Sequence, residues 1–234
     1  MNLRIEVVAI DCLMVRLFDA IDETNMPWML AATLRLREGF AAHLIDLVPS
    51  YTTLMVHYDL LALSPTQARA IITEALSGLA PDAAQSGRQH VLPVWYDLSV
   101  GPELSLLSTR SGLSVEEVIR RHSQREYQVF ALGFAPGFAF MGLVEEVLAA
   151  PRIKTPRKRV AAGSVGIAER QTAAYPLESP GGWNILGRTP AKLFDRGIDG
   201  YSLMQPGDTV RFAAIDHAEF IRLGGDDTPL EGLA

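Results

Sequence analysis

The chain of 234 residues has one cysteine, Cys12, which excludes an intrachain disulfide and fits a reducing compartment. Cys12 sits in an apolar run and reads as a buried structural thiol. The five histidines (His43, His57, His90, His122, His217) show no metal-ligand spacing with one another, and Cys12 has no cysteine partner, so no metal is expected. Neither a G-x-x-x-x-G-K-[ST] loop nor a G-x-G-x-x-G turn between strand and helix occurs, so no recognisable motif holds ATP. Basic residues are in deficit: the net charge of −6 argues against a nucleic-acid partner. No apolar run approaches the length of a membrane span, and the N-terminus lacks a signal-peptide layout. A cytoplasmic protein that engages no membrane is expected. Internal repeats and low-complexity tracts are missing as well.

What is present is an ordinary apolar fraction, 48%, enough for a proper core. The chain reads in two parts. Ile5–Ile10 and Leu13–Phe18 are two short strands rich in β-branched and large apolar residues. Residues 24–42 have helical spacing at Trp28, Leu30, Ala31 and Leu34, with Thr24 or Asn25 as cap and Pro27 in the first turn. Leu44–Val48 and Thr52–Tyr58 form a strand pair. Ser64-Pro65 opens a second helix that runs to about Leu79. The order ββαββα predicts a compact α+β domain over residues 1–86. Pro81–Gly87 is polar and breaker-rich and marks the boundary.

Beyond it, His90–Tyr96 is a strand, and Glu103–Thr109 is a short helix. A second helix follows Ser114, which forms a capping box with Glu117 and ends near His122. From Tyr127 the chain turns to short strands and many turn residues, closing with Thr209–Ala213. That is the signature of a β-barrel over residues 87–223, since closure removes exposed edges. Residues 224–234 read as a loose tail.

Three glycine- and proline-bearing segments fall between Tyr127 and Thr189: Gly133–Phe138, Ala162–Gly166 and Ser179–Thr189. They are either the tight turns of a small barrel or loops converging on a recognition surface for a small polar or anionic ligand. Arg188 lies beside Asn184 and Thr189, where a guanidinium fork suits a carboxylate. The basic run Arg152–Arg159 is a solvated face or an anion-holding one. Trp183 with Phe134, Phe138 and Phe140 is core or pocket wall. His122 at a helix end is either a ligand-orienting imidazole or a helix-dipole contact. Ser164 in Ala162-Gly163-Ser164-Val165-Gly166 has the look of a nucleophile elbow, but no helix follows it, and a turn serine fits better.

At these residues the sequence resembles a known family. It contains the B-type subunits of 5-oxoprolinase, the sporulation-kinase inhibitor KipI and the "allophanate hydrolase subunit 1" domains of urea carboxylases. The match runs through Gly112-Leu113-Ser114, Leu132–Phe138, Thr155-Pro156-Arg157, Ala162–Ile167, Gln171-Thr172, Tyr175-Pro176-Leu177 and Ser179–Trp183. It continues through Leu186–Pro190, Leu193-Phe194-Asp195 and Pro206-Gly207-Asp208. So long an ordered series is specific for the family and less so for one member's function.

The resemblance implies an α+β N-terminal domain followed by a cyclophilin-like barrel. It implies an enzyme subunit that cannot act alone. Companion subunits of the C (KipA) type and the A type would complete a 5-oxoprolinase, which opens 5-oxo-L-proline to L-glutamate with ATP used by the assembly. The ligand would be a small amide or amino-acid-like substrate. On that reading the catalytic candidates are His122, as a proton carrier, and Arg188. The substrate-binding candidates are Phe134, Pro136, Gly137, Phe138, Arg157, Gly163, Ser164, Gln171, Thr172, Gly181, Gly182, Trp183, Asn184 and Thr189. The same family also implies two alternatives: a regulatory protein that inhibits a histidine kinase, and an accessory domain of urea or amide carboxylation beside a biotin enzyme.

The chain departs from the family pattern at Arg110, Ala139, Phe140, Ala161, Glu169-Arg170 and Ala173. Phe140 loses a phenol hydroxyl. Glu169 and Arg170 bring bulk and charge where a glycine pair is usual. These departures imply either a different substrate or binding in place of catalysis.

Overall fold

A computed structural model of the chain describes residues 2–81 and 87–230. The chain divides into two compact units, Met1–Gly87 and Arg88–Ala234.

The first unit runs β1 (Arg4–Ala9), β2 (Cys12–Arg16), α1 (Met26–Phe40), β3 (Leu44–Ser50), β4 (Thr53–Tyr58) and α2 (Pro65–Ala75). Its sheet is antiparallel in the order β1-β2-β4-β3. Leu13 pairs with Val56 and Val15 with Leu54, so these four buried side chains share one face, and α1 packs on β3 and β4. The expected ββαββα order is therefore present.

Two details differ from the sequence reading. Asn25 holds the N-cap position of α1, as read, but its side chain makes no cap bond; the bonded cap is Asp22, whose carboxylate accepts from the Thr24 amide of the preceding 3-10 turn. The second helix stops at Ala75 and not near Leu79. Its start is as read: Ser64 and Gln67 form a reciprocal capping box, worth about 1 kcal/mol.

The second unit begins with β5 (Gln89–Trp95), α3 (Leu104–Ser111) and α4 (Val115–Gln124). The strands β6 (Glu126–Leu132), β7 (Ala139–Gly142), β8 (Arg157–Val160), β9 (Ser164–Ala168) and β10 (Gln171–Ala174) follow. The unit ends with β11 (Ser179–Gly181), β12 (Asn184–Arg188), β13 (Thr209–Ile215) and α5 (His217–Arg222). Seven strands close a barrel in the order β10-β7-β6-β13-β5-β12-β9. Closure depends on β13, which runs parallel to β5 and antiparallel to β6. Val94, Val129, Met141, Val165, Ile167, Leu186 and Phe212 belong to one buried cluster that forms the main core. β8 and β11 make a separate two-stranded ribbon. A second buried cluster holds Phe138, Val160, Ala173, Tyr175, Trp183 and Ile185.

At α4 the expected capping box is half made. Ser114 accepts from the Glu117 amide, but the Glu117 carboxylate turns to Arg120 and Arg121 instead of reaching back. The tail, expected to be loose from residue 224, is tied down as far as Leu230. The Leu230 amide donates to the Ser99 carbonyl, and the Asp226 and Thr228 carbonyls accept from Arg188. Residues 231–234 of the tail, and 82–86 of the boundary segment, lie outside the described residues.

Candidate functional site

The glycine- and proline-bearing segments bring aromatic rings together. Phe134, Phe138, Phe140, Tyr175 and Trp183 line a pocket of about 230 Å³ with Pro156, Pro180, Gly181, Gly182 and Arg152. Phe138 is its hub. Its ring lies 5.2 Å from Phe134, 4.8 Å from Phe140, 5.3 Å from Tyr175 and 5.6 Å from Trp183, mostly edge to face. Pro136 and Gly137 form the turn that carries this ring, and the Gly133 amide closes it on the Phe138 carbonyl.

Phe134 stands at the rim, 63% exposed, with a left-handed φ of 66°. Gly181 is required where it sits: a Cβ there would lie 2.4 Å from the Tyr175 hydroxyl. Burial raises the Tyr175 phenol to about 12, so it stays protonated near neutrality, and the Trp183 amide donates to it. Exposed Arg152 gives the rim its positive charge.

A second cavity, of about 350 Å³, lies between Arg188 and the C-terminal segment. Arg188 is 1% exposed, and burial lowers its pKa. Its Nη1 donates to the Asp226 carbonyl at 2.6 Å and the Thr228 carbonyl at 2.8 Å. Gly163 allows the close packing here, since a Cβ would meet the Thr189 carbonyl at 2.3 Å. Thr189 itself accepts from the Ala191 amide.

Other candidates are committed to structure. Both Asn184 amide donors are taken, by the Pro151 carbonyl at 2.9 Å and the Ile167 carbonyl at 3.0 Å. The expected pairing of Asn184 with Arg188 around a carboxylate is therefore not formed. Arg157 is buried in an ion pair with Glu103 at 2.5 Å, and the other Glu103 oxygen accepts from the Ile185 amide at 2.8 Å. Gln171 opens β10, opposite Ala168 and Gly142.

His122 is fully buried against the main core and lines neither cavity. Its ring stacks on Phe212 at 4.7 Å. Nδ1 is 2.7 Å from the Tyr96 hydroxyl, and Nε2 is 2.9 Å from Thr172 Oγ1. Because the Thr172 hydroxyl donates to the Gly166 carbonyl, it accepts from Nε2–H, and Tyr96 donates to Nδ1. This is a neutral imidazole with both nitrogens satisfied. Burial lowers its pKa to about 3, so the proton-carrier role drawn from the resemblance has no support in the geometry.

The departures from the family pattern separate in space. Glu169 and Arg170 occupy the β9–β10 turn, where Glu169 is exposed at φ 53° and Arg170 Nε donates to the Val144 carbonyl. Neither lines the pocket. Phe140 lines the aromatic pocket and Ala161 the Arg188 cavity.

Sequence reasoning noted Arg152 in the basic run and Tyr175 among the polar side chains, but counted neither among the substrate-binding candidates. The signals were present, in the basic run and in the tyrosine that follows Thr172. Cys12, expected to be buried, is only half-buried. With Asp11 and His57 it brings three ligand atoms within 4.8 Å of one another, the one such group among the described residues. The pair is made across strands, Cys12 opposite His57, which linear spacing does not reveal.

A family model described as carboxyltransferase domain, subdomain C and D, matches residues 3–204. The B-type subunit of 5-oxoprolinase from Bacillus subtilis (strain 168) is 35% identical over 227 residues, which covers 93% of this chain and 95% of that protein. A crystal structure of TTHA0988 is 36% identical with a TM-score of 0.76; the match takes in 88% of this chain but only 40% of that longer one. Kluyveromyces lactis urea carboxylase has the same fold at 14% identity and a TM-score of 0.75, over 97% of this chain and 23% of that chain.

Proposed function

The chain belongs to the carboxyltransferase-domain family that includes the B-type subunits of 5-oxoprolinase, and on that basis we propose that it is the B-type subunit of an ATP-dependent 5-oxoprolinase. The observation that carries the reading is the match to the Bacillus subtilis protein along nearly the whole of both chains. The assembled enzyme converts 5-oxo-L-proline, ATP and water to L-glutamate. This subunit works with companion subunits and supplies the pocket.

The aromatic pocket suits that substrate. A five-membered lactam is flat, with apolar faces and two polar edges. Phe138, Phe140 and Trp183 offer faces and edges for the ring to stack on, and they exclude water from it. Arg152 at the rim supplies the charge a carboxylate needs. The protonated Tyr175 hydroxyl is a hydrogen-bonding group, not a base. No phosphate-cradling loop occurs in this chain, so ATP chemistry falls to the companion subunits. No helix among the described residues is long and apolar enough to cross a membrane. The proposed setting is the cytoplasm.

The test is 5-oxoproline-stimulated ATP hydrolysis by the companion subunits with and without this chain. Stimulation that needs the chain supports the assignment; equal stimulation without it sinks the assignment.

A further inference from the structure

Arg188 is more than a strut. Among the described residues, its Nε and Nη2 have no hydrogen-bond partner, although both are buried. On a guanidinium these two N–H groups form one parallel edge, the edge that matches the two oxygens of a carboxylate or phosphate. Ser164, its direct cross-strand neighbour, has a buried Oγ with no partner among the described residues either. Three hydrogen-bonding groups on neighbouring strands are thus left unused, and buried groups of this kind weaken a fold unless a ligand satisfies them. Arg159 and Glu178, which also line the cavity, pair with each other at 2.9 Å and leave Arg188 as its buried cation.

The cavity is covered by the segment 226–230. Asp226, Asp227, Thr228 and Pro229 are exposed, and Leu230 is half-buried against the aromatic cluster. The segment is held by two bonds from Arg188 Nη1, by the Leu230 amide on Ser99, and by His217 Nε2 on the Asp227 carboxylate at 2.9 Å. With so little apolar burial, a segment of this kind opens more easily than the barrel it rests on. It also brings the carboxylates of Asp226 and Asp227 close enough to act on the Arg188 charge.

We propose that Arg188 and Ser164 form an oxyanion site and that residues 226–230 are a strap that occupies the Arg188 guanidinium until an anion displaces it. The strap's carbonyls hold Nη1, and its carboxylates oppose the charge of an anion arriving at the Nε–Nη2 edge. When the strap lifts, the negative charge that opposes a second anion leaves with it. Ligand and strap therefore compete, and the site binds weakly while the strap is closed. The proposal is independent of the subunit assignment: it requires an oxyanion, not a lactam.

Calorimetric titration of 5-oxo-L-proline, L-glutamate and inorganic phosphate into the full chain, and into a chain ending at Gly225, tests it. Binding to the shortened chain should be tighter by about tenfold, a typical coupling factor. Arg188→Ala should abolish binding in both forms. Binding of the carboxylates alone identifies the source as an amino-acid-like ligand; binding of phosphate alone identifies a phosphate. Should the shortened chain fail to fold, hydrogen exchange at the Leu230 amide of the full chain decides. Exchange should speed up as the bound anion lifts the strap. The proposal is overturned if no probe binds either form, if both forms bind equally, or if a bound anion leaves Leu230 exchange unchanged or slower. A chain that supports turnover but binds no anion at Arg188 would overturn the strap and leave the subunit assignment standing.

Discussion

His122 Nε2 donates to Thr172 Oγ1 across 2.9 Å, and that bond fixes the imidazole as a neutral, inward-facing strut. The consequence is a pH dependence of folding. The folded pKa is lowered from 6.5 to about 3 by burial. Below pH 6.5 the unfolded chain takes up a proton that the folded chain refuses. This contribution to stability is therefore complete above 6.5 and is lost as pH falls towards about 3, at about 1.4 kcal/mol per pH unit. Denaturant unfolding of wild type and His122→Gln at pH 7 and pH 5 checks this. The stability gap between them should narrow by about 2 kcal/mol at the lower pH; a constant gap would mean that His122 titrates normally.

Glu103 and Arg157 are both about 5% exposed and bonded to each other. Glu103→Gln leaves a buried guanidinium without its counter-ion and should destabilise the protein by about 3 kcal/mol. Urea midpoints measure the loss. A change below about 0.5 kcal/mol, within the range of an ordinary surface substitution, would show that the pair is hydrated rather than buried.

Phe134 is the exposed wall of the aromatic pocket. Phe134 is 63% exposed and, among the described residues, its ring touches the core only through Phe138 and Tyr175, so Phe134→Ala should lower the melting temperature by only a few degrees. An aromatic contact is worth about 0.5–1.5 kcal/mol, so KM for 5-oxoproline should rise roughly threefold to tenfold with kcat unchanged. Unaltered KM in the assembled enzyme would remove Phe134 from the site.

Gly181→Ala places a methyl 2.4 Å from the Tyr175 hydroxyl. Tyr175 is wedged against Phe138 at 5.3 Å and cannot swing freely. The substitution should cost about 1–3 kcal/mol by overpacking and should also raise KM, because the ring is pushed into the pocket. Thermal unfolding alongside steady-state kinetics separates the two effects.

Much of the fold could be read from local chemistry. The ββαββα order followed from strand alternation and from the Ser64-Pro65 start, because those signals act within a few residues. The closed barrel and its last strand were visible too, but its strand order was not, since that depends on β13 lying parallel to β5 about 120 residues away in sequence. The site was legible in part. Phe138, Gly181, Gly182 and Trp183 do line a pocket. Asn184 was misread because a polar residue beside glycines looks free until the Pro151 and Ile167 carbonyls are seen to take its amide. His122 was misread for a related reason: its helix end is polar in sequence, yet the ring is turned onto Phe212. The tail looked loose because its anchor, Arg188, lies some 40 residues upstream.

ATP-dependent release of glutamate from 5-oxo-L-proline decides whether this chain is a working 5-oxoprolinase subunit. The companion subunits are assayed with this chain, without it, and with its Trp183→Ala variant. Turnover is expected with the chain, none without it, and a raised KM with the variant. Equal glutamate release from all three mixtures would contradict both the subunit assignment and the aromatic pocket.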